Sequence, residues 1–199
     1  MAESTGRRVH VKPGATSEWY TPAPYVWRAR QVMGGIDLDP ASSAEANATV
    51  GALEWYGRGQ DGLTLPWFGR VWLNPPYSDY AGQAAAWAGR LLREYVIGNV
   101  EQACMLVNMS VAYQPAFQAI AGVATAALCI VNHRIAFVPG GGGQGARPSQ
   151  SNVIYYVGPH VAGFAAVFGE IGAVLAPVAV AERAAVVAPV QPGLFGVAA

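Results

Sequence analysis

The sequence of 199 residues is short of charge: only 12 % of its residues are charged, and twelve basic side chains balance twelve acidic ones. A protein that binds nucleic acid by bulk attraction to phosphates carries an excess of positive charge, so any such contact here must be local. Lysine is almost missing, since Lys12 is the only one. Hydrophobic residues reach 53 %, which excludes a chain that is disordered throughout.

Cysteine and histidine are also scarce. Cys104 and Cys129 lie inside apolar runs and are expected in buried strands. Two cysteines provide neither a metal-binding spacing nor a disulfide framework, so no metal site is predicted and a reducing cytoplasm is the default compartment. His10, His133 and His160 have no carboxylate at a paired spacing, and none of them is predicted to be catalytic.

Long hydrophobic runs are absent as well. The most apolar tract, 161–190, is interrupted by glycine, proline and charged residues, and a membrane span would need about 18 apolar residues in succession. The first 13 residues are polar and basic and lack the apolar stretch of a signal peptide. We therefore expect a soluble, cytoplasmic protein without a membrane segment.

Turn signals and hydrophobic periodicity divide the chain into a flexible arm over 1–17, one domain over 18–172, and a tail over 173–199 rich in Ala, Val and Pro. Ser42 and Glu45 fit a capping box at the start of a helix. Apolar strands that alternate with helices are typical of an α/β fold with a compact, mostly parallel sheet and helices on both faces. Helices are predicted over 24–33, 43–53, 112–123 and 161–171, with another after Ser78, and strands over 36–39, 70–73, 103–109, 127–138 and 152–157.

The most informative segment is Asn74, Pro75, Pro76 and Tyr77, at the carboxyl end of a predicted strand. A chance match to this tetrapeptide in 200 residues has a probability on the order of 1 in 1000. The prolines stiffen the turn, so the Asn side-chain oxygen and a main-chain carbonyl can accept both hydrogens of an amine. The tyrosine ring can lie against a planar base. A plain Pro-Pro turn that ends a strand is the alternative interpretation.

This segment resembles the catalytic motif of amino methyltransferases that depend on S-adenosylmethionine. Further segments are similar, in content and order along residues 18–172, to those of the phage-type DNA adenine-N6 methyltransferases. These segments are 18–22, 37–42, 61–63, 66–67, 71–78, 134–137 and 148–156. The resemblance implies a Rossmann-like methyltransferase fold, S-adenosylmethionine as the cofactor and DNA as the partner.

The resemblance also implies a role for individual residues. The residues expected to bind the cofactor are Thr21, Pro22, Asp37, Asp39, Pro40 and Asp61. Of these, Thr21 matches a segment that touches the methionine part, and Asp61 matches the acid that receives the adenine amino group. Asn74 and Pro75 would hold the target amine, and Tyr77 would stack on a base flipped out of the helix. Helix capping and ordinary turns are the alternative interpretations for the acidic residues and the Thr-Pro pair.

The sequence departs from the family pattern in two ways. The first cofactor motif lacks a Gly-x-Gly turn, so the backbone must approach the cofactor differently. Asp39 and Asn74 are separated by only 35 positions, which leaves room for one helix and a short connection. The second strand, which usually carries a ribose-binding acid, is therefore predicted to be abbreviated, with Glu54 as the candidate acid.

The glycine-rich loop 140–145 has no following Lys-Ser/Thr and is not predicted to cradle phosphate. It is a candidate substrate loop or a linker. Arg134 and Arg147 flank it and could hold DNA phosphates, although solvated surface arginines are the alternative.

The sequence therefore predicts methyl transfer from S-adenosylmethionine to adenine N6 in DNA. Accepting both amine hydrogens at Asn74 and Pro75 would free the nitrogen lone pair, and positioning and electrostatics would supply the rate without a general base or a metal. RNA, cytosine N4 or a glutamine side chain are alternative substrates. A catalytically silent module that binds DNA or a partner is the alternative from another class.

Overall fold

The computed structural model of the chain describes residues 19–76, 81–140 and 150–177. The predicted flexible arm, most of the glycine-rich loop and most of the predicted tail lie outside these residues. Tyr77 and Arg147 also lie outside them.

Among the described residues, strands and helices alternate as predicted. The strands in chain order are β1 (Trp19–Tyr20), β2 (Leu38–Asp39), β3 (Glu54–Trp55), β4 (Gly69–Leu73), β5 (Val100–Asn108), β6 (Ala126–Val131), β7 (Val138–Pro139), β8 (Asn152–Val157) and β9 (Gly172–Leu175). The helices are α1 (Ala23–Met33), α2 (Ala44–Val50), α3 (Ala81–Val96), α4 (Pro115–Ala121) and α5 (Val161–Phe168), with a 3₁₀ turn at Met109–Val111.

The main sheet of the described chain has seven strands in the order β3-β2-β4-β5-β8-β6-β9. The first four are parallel, whereas β8 is antiparallel to both of its neighbours and β9 is antiparallel to β6. The prediction of a mostly parallel sheet is therefore corrected to a mixed sheet. A parallel crossover returns the chain over a sheet face, usually as a helix. The described part of the β6–β8 connection contains no α-helix, and β8 pairs in the opposite direction.

Helices cover both faces of the sheet, as predicted. Helices α1 and α5 share one core with the side chains of Trp72, Ile154 and Tyr156, and rings of α5 stack on that face. Helices α3 and α4 share the other core with neighbouring residues of the same strands, such as Val71 and Tyr155. Consecutive strand residues point to opposite faces, so an apolar strand that is covered on both sides supplies both cores.

Two element boundaries differ from the prediction. The N-cap of α2 is Ser43 rather than Ser42, because the Ser43 hydroxyl accepts the Ala46 amide at 3.1 Å. The same helix ends at Val50 instead of continuing to 53, since Gly51 adopts a left-handed φ of 56°. The sheet also continues through β9 to Leu175, beyond the predicted boundary at 172. None of the described helices is long and apolar enough to span a membrane.

Candidate functional site

Asn74 directly follows β4, at the carboxyl edge of the parallel strands. Its amide nitrogen donates to the main-chain oxygen of Trp19 at 3.4 Å. Its amide oxygen is enclosed and has no hydrogen-bond partner within the described part of the chain. A buried acceptor left without a donor costs about 1–3 kcal/mol. Such a group at the carboxyl end of a strand points to a ligand that brings an N–H or O–H group.

The N-terminal segment approaches Asn74 along the sheet edge. Strand β1 pairs with β7 in an antiparallel ladder and supplies the Trp19 oxygen that binds Asn74. Thr21 follows β1 and is only 6 % exposed, and its hydroxyl has no partner among the residues described. Pro22 then caps the start of α1. The structure therefore brings the predicted Thr21–Pro22 segment to the predicted catalytic motif.

Asp39 is the last residue of β2 and is 3 % exposed. The Ala41 amide donates to its carboxylate at 3.2 Å. Burial raises the pKa of Asp39 to about 7, although hydrogen bonds from Ser42 and Ala41 act in the opposite direction. This carboxyl group can therefore gain or lose its charge near neutral pH. Ser43 extends the contact outward, because its hydroxyl donates to the Tyr20 hydroxyl at 3.2 Å.

Asp61 lies beside this acidic motif in the folded chain. Gly62 packs so tightly on the carbonyl group of Pro40 that a Cβ at Gly62 would overlap that oxygen. Asp61 itself is exposed and has a positive φ of 50°, which is uncommon for a residue other than glycine. Its carboxylate accepts the Leu63 amide at 3.3 Å. The predicted cofactor residues Asp39, Pro40 and Asp61 are thus neighbours through the Gly62–Pro40 contact.

Asp37 does not join this cluster. It precedes β2, and its carboxylate accepts three hydrogen bonds from Arg70, two of them from the guanidinium group at 2.8 and 2.6 Å. These bonds hold the pKa of Asp37 below its ordinary value. The carboxylate therefore joins the beginnings of β2 and β4, at the end of the strands opposite Asp39 and Asn74.

Arg134 is exposed and follows β6, whose carboxyl end lies at the same sheet edge as that of β4. No ion pair joins it to another described residue. The preceding His133 is fixed, because its ring accepts or donates at 2.6 Å to the Tyr25 hydroxyl and at 2.7 Å to the Asn132 side chain. Arg134 thus extends from an anchored segment.

Glu54 lies on β3, a strand of two residues at the edge of the sheet, so the abbreviated second strand is as predicted. Its side chain is exposed. Within the described ranges, no group of three or more His, Cys, Asp or Glu side chains could hold a metal ion.

Sequence reasoning missed Arg90. The helical pattern predicts that this residue faces solvent, but its side chain is 16 % exposed and turns toward the loop that carries Asp61. The spacing of Arg90 and Glu94 by one helical turn was the available signal, since it allows an ion pair. No sequence pattern shows that the pair also reaches a distant loop.

The fold and these residues define an α/β protein with acidic and amide side chains gathered at the carboxyl edge of its sheet. The family described as DNA N-6-adenine-methyltransferase (Dam) matches residues 9–158. The chain therefore belongs to this family of DNA adenine methyltransferases. Comparison with curated proteins and with solved structures gave no match.

Proposed function

We propose that the protein transfers a methyl group from S-adenosylmethionine to the N6 amine of adenine in DNA, on a methyltransferase fold of the Rossmann-like type. The observation that carries this proposal is the enclosed, unpaired amide oxygen of Asn74 at the end of β4. Adenine presents one hydrogen-bond donor on its base edge, the exocyclic amine. A second acceptor, the carbonyl of Pro75, follows in the chain, and the prolines of the turn have no amide hydrogen that could compete.

The residues present fit the cofactor. S-adenosylmethionine carries an ammonium group, ribose hydroxyls and an adenine amine, all of which need acceptors. The neighbouring carboxyl groups of Asp39 and Asp61 and the unpaired hydroxyl of Thr21 provide them. When bound, the cofactor supplies a methyl group that is already activated by its positive sulfur. Glu54 is a candidate for the ribose hydroxyls, and Asp37 is left out because Arg70 occupies its carboxylate.

The catalytic work of the protein is to hold the target amine. Asn74 and Pro75 accept its two hydrogens, so the nitrogen turns toward tetrahedral geometry and its lone pair leaves conjugation with the ring. Fixed acceptors in an enclosed site favour this arrangement without reorganisation during the reaction. The proton leaves after transfer, so no general base is required. Tyr77 stacks on the flipped base, while Pro76 keeps the turn rigid.

Arg134 and Arg147 are proposed to bind DNA phosphates. Arg134 is exposed at the same sheet edge as Asn74 and has no ion pair within the described residues, so its charge is available to a phosphate. The balanced charge of the whole chain means that such local contacts carry the electrostatic part of the binding.

The test is incubation of the full chain with labelled S-adenosylmethionine and DNA amplified in vitro, followed by digestion and nucleoside analysis. N6-methyldeoxyadenosine is the expected product. Label in N4-methyldeoxycytidine, in RNA or in a glutamine side chain would replace the proposed substrate. DNA binding without any transfer would instead identify a catalytically silent module.

A further inference from the structure

Four main-chain carbonyl groups of the loop after Asp61 are held by side chains. The Trp67 indole donates to the Gly62 oxygen at 2.7 Å, and the Tyr56 hydroxyl donates to the Pro66 oxygen at 2.7 Å. The two remaining bonds come from one residue of α3. Arg90 donates to the Leu63 oxygen at 3.0 Å and to the Leu65 oxygen at 2.9 Å.

Arg90 is itself fixed on three sides. It forms an ion pair with Glu94 at 3.0 Å, one helical turn away, and its guanidinium group lies 5.9 Å from the centre of the Trp67 ring. Glu94 is buried, and its other oxygen accepts the Asn99 side chain at 2.8 Å. Burial alone would raise the pKa of Glu94, but the Asn99 bond and the charges of Arg90 and Arg93 bring it below its ordinary value. The ion pair therefore persists at neutral pH.

The loop needs this support. Asp61 has a φ of 50°, and residues in such sparsely populated conformations persist only where their surroundings fix them, at a cost of about 1–3 kcal/mol. Gly62 is also pressed against the Pro40 carbonyl group, so a small shift of the loop changes the separation of Asp61 and Asp39. A surface turn without a ligand has no need for four side-chain tethers.

We infer that Arg90 is a positioning residue, which holds the 61–66 loop so that Asp61 and Asp39 bind the cofactor together. This inference rests on the proposed function, because it assumes that S-adenosylmethionine binds between these two acids. Arg90 contacts the loop and not the reacting atoms. It should therefore affect the affinity for the cofactor and leave the chemical step unchanged once the cofactor is bound.

The experiment compares Arg90→Gln and Arg90→Lys with wild type. Arg90→Gln removes the charge and the paired donors, whereas Arg90→Lys keeps the ion pair with Glu94 and one donor for the loop. Arg28→Gln is the matched control, because Arg28 also bonds a main-chain oxygen and a glutamate, with its side chain 17 % exposed on α1. For each protein we would measure the Kd of S-adenosylmethionine by calorimetry, the KM and kcat of methyl transfer, and the melting temperature.

Arg90→Gln is expected to raise the Kd and the KM for S-adenosylmethionine about tenfold, which corresponds to about 1.4 kcal/mol, with little change in kcat at saturating cofactor. Arg90→Lys should recover part of the affinity, and Arg28→Gln should keep it. An unchanged Kd in a folded Arg90→Gln protein would overturn the inference, as would equal losses in Arg28→Gln. If wild type itself fails to bind S-adenosylmethionine, the proposed function fails as well.

Discussion

The amide nitrogen of Asn74 donates to the main-chain oxygen of Trp19 at 3.4 Å, and this contact joins segments 55 positions apart in the sequence. The bond fixes which way the amide faces, so its oxygen remains the enclosed group without a partner in the described chain. An acceptor that is already oriented and desolvated binds an amine more effectively than one that must first reorganise. The N-terminal segment is therefore part of the proposed active site.

Asp39 should make folding depend on pH. Its pKa is raised from 3.8 to about 7, mainly by burial, so the folded state holds a proton that the unfolded state has lost between these values. The stability due to protonated Asp39 is complete below the unfolded pKa and is lost as the pH rises to about 7, by at most about 1.4 kcal/mol per pH unit. Asp39→Asn should therefore exceed wild type in free energy of unfolding more at pH 8 than at pH 5, as measured by urea denaturation.

The same substitution should weaken cofactor binding, because a neutral amide replaces a group that can become a carboxylate. A variant that is more stable yet binds S-adenosylmethionine less tightly would show that the buried acid serves the ligand. Equal stability gains at both pH values would contradict the raised pKa.

Gly62→Ala should displace the loop that carries Asp61. A Cβ at Gly62 would overlap the Pro40 carbonyl oxygen, so the backbone must move away from the acidic motif. We expect a large loss of S-adenosylmethionine affinity, measured by calorimetry. Gly59→Ala is the control in the same loop, since no atom lies within 4 Å of its added Cβ. Similar cofactor affinity for both variants would show that the Gly62–Pro40 contact does not shape the site.

Asp37→Asn separates a structural role from cofactor binding. The substitution weakens three hydrogen bonds from Arg70, so we expect a loss of about 1–3 kcal/mol in the free energy of unfolding at pH 7. Because the pKa of Asp37 is lowered, this stability is present above the unfolded pKa and is lost as the pH falls through the folded pKa. The Kd of S-adenosylmethionine should stay unchanged, and an increase in it would return Asp37 to the cofactor site.

Arg134→Gln should weaken DNA binding without affecting the cofactor. One phosphate contact contributes about 1 to the slope of log K against log salt concentration, so the slope should become less steep by about that amount. Fluorescence anisotropy with a labelled duplex over a salt series measures it. A slope equal to that of wild type would identify Arg134 as an ordinary solvated residue.

Local elements could be predicted where the residues themselves set the boundaries. The apolar run 152–157 became β8, and Gly34, with a φ of 78°, ended α1 after Met33. The direction of β8 could not be predicted. A strand that is buried on both faces has the same continuous apolar pattern in either direction, so the sequence favoured a mostly parallel sheet where a mixed one forms.

Contacts between distant segments account for the rest. The sequence grouped Asp37 with Asp39, but it contains no signal that Arg70, 33 positions later, would occupy the first carboxylate. Arg90 was placed on the solvent face by its helical spacing, although the 63–65 carbonyl groups lie beside it. Asn74 was found because its motif is rare and short, and its orientation toward Trp19 needed the tertiary structure.

The most direct measurement is a side-by-side assay of wild type and Asn74→Ala on unmethylated DNA, with nucleoside analysis of the product. Asn74→Ala removes one of the two proposed acceptors for the amine. We expect N6-methyldeoxyadenosine from wild type, and a rate lower by several orders of magnitude from a variant whose melting temperature and Kd for S-adenosylmethionine are close to those of wild type. Near-normal methyl transfer by Asn74→Ala, or a wild-type product other than N6-methyldeoxyadenosine, would contradict the assignment of the active site.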